Sequence, residues 1–177
     1  YNMLKNVQAE LNRFAKYVVS QSRANLTRGK KNVSKSLYNS IDSNVKENKN
    51  SFSMEFLMDE YGVFQDKGVS GTKKKYNTKF SYKQSSNLVG MEYHTGTFAK
   101  WAKSRNIRLR DAKGKFKKGS YKTIGFLIAR SVKEKGIKPS LFFTKPFNKA
   151  FKNLSKDLVE AFKLDVETLM KNTLNQK

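Results

Sequence analysis

Ser51-Phe52-Ser53-Met54-Glu55-Phe56 alternates polar and apolar residues at a period of two, the pattern of a strand with one buried face. Ahead of it, residues 41–48 alternate more weakly, with Ile41 and Val45 apolar, and Asn48-Lys49-Asn50 is a turn signal. The spacing predicts an antiparallel hairpin pairing 41–48 with 51–58. Outward from the hairpin, the period changes. Leu4, Val7, Leu11, Phe14, Val18, Val19 and Leu26 recur in steps of three and four and predict an amphipathic helix over 3–28, stopped near Gly29.

At the other end, Thr144 is placed to cap a last helix, with Pro146 in its first turn, where a missing N–H is harmless. Phe147, Ala150, Phe151, Leu154, Leu158, Ala161, Phe162 and Leu169 line one face, and Val159, Val166 and Met170 widen the stripe to about Leu174. This helix is expected to pair with the N-terminal one, with Leu11, Phe14, Val18, Phe151, Leu154, Leu158 and Phe162 buried in the protomer's core or against a neighbour. A small antiparallel sheet packed with long N- and C-terminal amphipathic helices is an α+β layout. The chain's 177 residues suit one domain spanning 1–177.

Between these parts, Leu37, Tyr38 and Ile41 fit a short helical turn, and Tyr61 and Phe64 fit another that leaves the second strand, with Gly68 and Gly71 releasing the chain into a loop. Phe98, Ala99, Trp101 and Ala102 suggest a short helix, and Ile107 and Leu109 alternate with Arg108 and Arg110 in an extended segment. Residues 120–135 read as a helix capped by Ser120 and stopped by Gly136. Pro139 keeps the residues before it extended, and Leu141-Phe142-Phe143 reads as a short strand.

Charge is the outlying property. There are 37 Lys and Arg against 14 Asp and Glu, a formal net charge of +23. Residues 67–138 hold 20 of the basic residues and 3 of the acidic ones, so most of the excess lies in that zone. Such a chain repels itself unless an anionic partner is near: nucleic acid, an anionic membrane surface or an acidic protein. A loop-rich basic insertion is expected at about 69–118. In it, Lys73, Lys74, Lys75, Lys113, Lys115, Lys117 and Lys118 are expected on exposed loops, because seven lysines cannot be buried unpaired. Tyr76, Phe80, Tyr82 and Phe116 lie among them; aromatics there can stack on bases or anchor a loop in a protein site. The aromatics favour the protein partner, and DNA contact stays open.

Several chemistries lack their residues. With no Cys and one His, a disulfide framework, a Cys-ligated zinc site and a multi-histidine centre are excluded. No Walker-type or dinucleotide-type glycine spacing occurs. Asp59, Glu60 and Asp66 form the acidic cluster on which a metal-dependent nuclease would have to rest, although a solvated strand end explains them more simply. Glu92 and His94 would share a strand face as an acid–base pair, but no third group supports them, and a lone structural His is the plainer reading. Neither catalytic residues nor a cofactor or metal is expected. No run of 18 apolar residues suggests a membrane span, no hydrophobic signal core is seen near Tyr1, and Tyr1 is not expected to be the encoded start.

Three stretches carry a family resemblance: Asn39-Ser40-Ile41 leading into the hairpin, the run from Met58 through Tyr61-Gly62-Val63-Phe64 to Gly68, and Gly136-Ile137-Lys138-Pro139-Ser140-Leu141-Phe142-Phe143 before the last helix. Together they resemble the tail-completion or neck (head–tail connector) proteins of tailed phages, and are most similar to ring-forming virion proteins of crAss-like gut phages. The resemblance covers residues 32–170, with the 69–118 region longer than in simple members. It implies an α+β protomer without a cofactor, assembled in the virion into a ring at the head–tail junction. The ring would be twelve-fold if portal-proximal, with six-fold as the alternative. Its partners would be the portal, neighbouring neck or tail proteins and packaged DNA. A basic, sequence-nonspecific nucleic-acid-binding protein is the competing reading of the same charge.

Overall fold

Helix α1 (Lys5–Arg28) turns Val7, Leu11, Phe14, Ala15, Val18, Val19 and Leu26 to one side, and all are buried, as their spacing requires. The structure is a computed structural model and describes residues 4–29, 34–48 and 51–174. A short helix α2 (Ser36–Ser40) leads into β1 (Asp42–Asn48), which pairs antiparallel with β2 (Ser51–Leu57) in the register Asp42↔Leu57 through Asn48↔Ser51. Lys49 and Asn50 of the expected turn lie outside the described residues. Directly opposed residues share a face, so Val45 with Met54, Phe52 and Phe56 form the apolar side of the ribbon.

That side is covered by α1 and by α7 (Thr144–Leu174). Val45 and Phe52 pack with Val7, Leu11, Leu158 and Ala161; Met54 and Phe56 pack with Phe14, Val18, Leu154 and Phe147. Phe56 meets Phe14, Phe143 and Phe147 edge-on, with ring centroids 6.2, 5.3 and 5.9 Å apart. Leu141-Phe142-Phe143, expected as a strand, is instead a turn into α7. Leu141 has a positive φ of 51°, its carbonyl accepts from Lys145 N–H at 3.1 Å, and Phe142 is buried against Val19, Leu26, Leu37 and Ile41. Helical hydrogen bonding starts so early that no residue is left for pairing; the apolar triplet serves as a plug. Phe151 and Phe162, expected in the protomer's core or against a neighbour, are outside the core: they are 53% and 52% exposed in the chain, because they lie beside the stripe that faces α1.

Two compact units make up the chain: residues 1–62 with 141–177, just described, and residues 63–140. The second unit starts earlier and ends later than the expected insertion. Helix α3 (Tyr61–Lys67) runs into it, and β3 (Val69–Ser70) pairs with β4 (Gly136–Ile137), which ties the unit's beginning to its end. Ser70 also pairs with residues 80–82: its N–H donates to the Phe80 carbonyl, and its carbonyl accepts from Tyr82 N–H, both at 2.8 Å. Rather than loop alone, the stretch holds α4 (Leu88–Thr95) and α5 (Thr97–Ser104), both packed on α6 (Tyr121–Lys135).

Helix α6 begins as its sequence predicts, with Ser120 Oγ accepting from Thr123 N–H at 3.1 Å, and it stops at Gly136, which has φ 74°. Any side chain at Gly136 would run into the Val69 carbonyl, and one at Gly71 into the Glu134 carbonyl. These glycines allow β3 and the end of α6 to approach backbone to backbone.

A candidate polyanion-contacting surface

The 63–140 unit carries 20 basic and 4 acidic residues, a net +16. Its two lysine clusters sit in different settings. Lys73, Lys74 and Lys75 belong to a loop docked on the C-terminus of α6. Thr72 N–H donates to the Lys133 carbonyl, and the N–H groups of Lys73 and Lys74 both donate to the Glu134 carbonyl, at 2.9 to 3.1 Å. Carbonyls that a helix end leaves unpaired are thereby satisfied, and the lysines stand at the negative pole of the helix dipole.

Their side chains are exposed but engaged. Lys73 Nζ lies 3.0 Å from Glu134, Lys75 Nζ donates to the Gly71 carbonyl at 3.0 Å, and Lys74 lies over the Tyr76 ring. Glu134 also lies 3.5 Å from Arg130. The Lys73 hydrogen bond, with the Lys73 and Arg130 charges, holds the Glu134 carboxyl below its ordinary pKa.

Three of the four aromatics are partly buried in the unit. Phe80 meets Phe64 edge-on at 4.8 Å. The Tyr76 ring lies 5.6 Å from Lys74 Nζ, and the Tyr76 backbone N–H donates to Ser70 Oγ at 2.9 Å. Tyr82 is half-buried, and burial raises its phenol pKa.

The second cluster precedes the other end of α6. A helix of 15 residues rises about 22 Å, so the clusters that read as one basic zone are held apart by its length. Residues 107–119 form a small hairpin. Arg110 bridges Phe116, Lys117 N–H donates to the Leu109 carbonyl, and Asp111 Oδ1 accepts from Lys113 and Lys115 N–H, both at 2.9 Å. Gly114, at φ 79°, makes the turn. Lys113, Lys115, Lys117 and Lys118 are exposed, and Phe116 is 63% exposed.

Arg108 and Arg110 complete this surface; sequence reasoning did not count them as site residues. Their guanidinium carbons lie 5.7 and 4.2 Å from the Phe116 ring centroid. Arg110 also donates to the Gly114 carbonyl at 2.8 Å. With Arg105, Asn106, Ile107 and Phe116 they line a hollow of about 480 Å³. Their period-two placement ahead of an Asp-x-x-Gly turn was the signal that could have found them: it sets both arginines on one side of a hairpin.

Glu92 and His94 do not form a pair. They lie on helix α4, where positions two apart point in different directions. Glu92 is buried and accepts from the N–H groups of Phe98 and Ala99, each at 2.8 Å, which caps α5, whereas His94 is exposed beside Tyr93. Asp59 accepts from Ser36 Oγ at 2.7 Å, and Asp66 is buried with Lys67 Nζ 3.8 Å away. Among the described residues no group of three His, Cys, Asp or Glu is placed to hold a metal, and no helix is long and apolar enough to cross a membrane.

Fold and surface thus define an α+β protein with a strongly basic second unit. Comparison of the chain with known protein families, with characterised proteins and with solved structures finds no match in any of the three.

Proposed function

We propose that this chain is a non-enzymatic structural subunit of a tailed-phage virion, assembled into a ring at the head–tail junction that joins portal and tail around the DNA channel. Beside the motif resemblance, one observation carries this reading: the uncovered apolar stripe of α7. Phe151, Val159, Phe162, Val166, Leu169 and Met170 are all 36% exposed or more. At 100° per residue they fall within a sector about 100° wide, next to the sector that packs on α1. From Phe151 to Met170 the stripe is about 28 Å long. A stripe of this size on so charged a protein is suited to a protein interface, and a ring needs a pair of faces that close by rotation.

The occupant is a second copy of this chain. Native mass spectrometry and electron microscopy of the purified chain should find a closed ring, twelve-fold at a portal-proximal position, or six-fold if it matches the tail tube. Phe151→Glu with Phe162→Glu should leave a folded monomer that fails to enter particles. Unchanged assembly by that variant would end the proposal.

A further inference from the structure

We infer that the 107–119 hairpin is a binding site for the phosphate backbone of duplex DNA. Among the described residues, Arg108, Arg110, Lys113, Lys115, Lys117 and Lys118 have no carboxylate within ion-pairing distance. The acid among them, Asp111, spends Oδ1 on two backbone N–H groups of the turn. Six cations against the single negative charge of Asp111 on one small exposed hairpin are stabilised by an external polyanion.

The arginines are also set in place before binding. Phe116 and the Gly114 carbonyl fix the Arg110 guanidinium, and Arg108 Nε donates to Asn106 Oδ1 at 3.3 Å. A fixed, forked guanidinium suits phosphate oxygens.

Two features choose among polyanions. A single strand would be held by bases stacked on aromatics, but Arg110 already lies 4.2 Å over the Phe116 ring, Lys74 lies over Tyr76, Phe80 packs edge-on against Phe64, and Tyr82 is half-buried. An acidic protein partner would need apolar anchors at the centre of the contact, and these same aromatics were the ones available for that role. What the hairpin offers is charge in a fixed array, the chemistry of backbone contact without base readout.

The inference deepens the ring proposal by assigning a DNA-facing element, yet its assay uses the isolated full chain and can succeed or fail whether or not rings form. Binding to a random-sequence duplex, to a single strand of equal length and to polyglutamate is measured by fluorescence anisotropy from 50 to 200 mM salt. Six phosphate contacts predict about a 10³-fold loss of duplex affinity over that range. Lys113→Gln with Lys115→Gln, Lys117→Gln and Lys118→Gln should reduce the loss to about tenfold. A charge-matched control, Lys149→Gln with Lys152→Gln, Lys156→Gln and Lys163→Gln on α7, should keep the steep dependence.

Equal loss in the control would overturn the inference, because net charge would then suffice. Preference for the single strand, with binding abolished by Phe116→Ala, would overturn it in favour of stacking. Tighter binding to polyglutamate than to duplex would overturn it in favour of a protein partner.

Discussion

Asp165 and Asn6 lie 159 positions apart, and the carboxylate of the first closes the helix that begins beside the second. Asp165 accepts from Asn6 N–H at 3.0 and 3.1 Å, from Val7 N–H at 3.0 Å and from Asn6 Nδ2 at 2.8 Å. The N-cap residue of α1 is Leu4, whose side chain cannot accept a hydrogen bond. A carboxylate on α7 takes that role and brings negative charge to the positive end of the dipole.

Asp165→Ala should therefore destabilise the 1–62/141–177 unit by about 1–3 kcal/mol, since buried donors are left unpaired. Asp165→Asn keeps one acceptor oxygen and should cost less. Urea denaturation measures both, and hydrogen exchange should place the lost protection at residues 5–8 of α1.

Neighbouring positions on α7 should respond differently to truncation. Leu154 is buried among Phe14, Val18 and Met54, so Leu154→Ala should cost about 2–5 kcal/mol. Phe162, half exposed, should lose under about 1 kcal/mol as Phe162→Ala in the isolated monomer, while assembly suffers. An unchanged melting temperature for Leu154→Ala would refute its core assignment.

The Lys73–Glu134 pair makes a pH prediction. Glu134's pKa is lowered in the folded state, first by the Lys73 hydrogen bond. A lowered carboxyl pKa contributes stability that is present above the unfolded value and is lost as pH falls through the folded value. The stability gap between wild type and Lys73→Met should be constant at neutral pH and shrink below the ordinary glutamate range. Carboxyl NMR titration should show Glu134 moving up in Lys73→Met.

Gly136→Ala should destabilise the 63–140 unit by about 1–3 kcal/mol from its backbone alone, because φ 74° with ψ −168° is a region essentially reserved for glycine. The approach of the Val69 carbonyl adds to that cost. Proton exchange at Val69 and Ile137 would report the loosened pairing.

The parts of the fold that local period fixes were legible: α1, the β1–β2 ribbon, α6 with its Ser120 cap, and α7. What escaped was set by tertiary partners. Helix α4 has local end signals, the Asn87 cap and Gly96, but no apolar stripe between them, and nothing local says that Leu141-Phe142-Phe143 will turn into α7. Both aromatic faces of α7 read as one stripe, because periodicity shows which residues are apolar but not how wide a sector the neighbour covers. At the candidate surface, lysine counting found the charge. It could not show that, among the described residues, the Lys73 ammonium has a carboxylate partner while that of Lys113 has none, nor that Arg108 and Arg110 bracket Phe116.

The docking of residues 72–74 on the end of α6 has a consequence for proteolysis. Trypsin needs a segment it can draw into extended form, and both lysine clusters offer it cleavable bonds by sequence. At 72–74 the backbone N–H groups are held by carbonyls of Lys133 and Glu134, so cleavage there must wait until the end of α6 is released. At 111–118 every residue is exposed and its hydrogen bonds run only within the 107–119 hairpin. Brief digestion should therefore nick the chain within 113–118 and leave 73–75 intact, yielding two fragments that remain associated until denaturant is added.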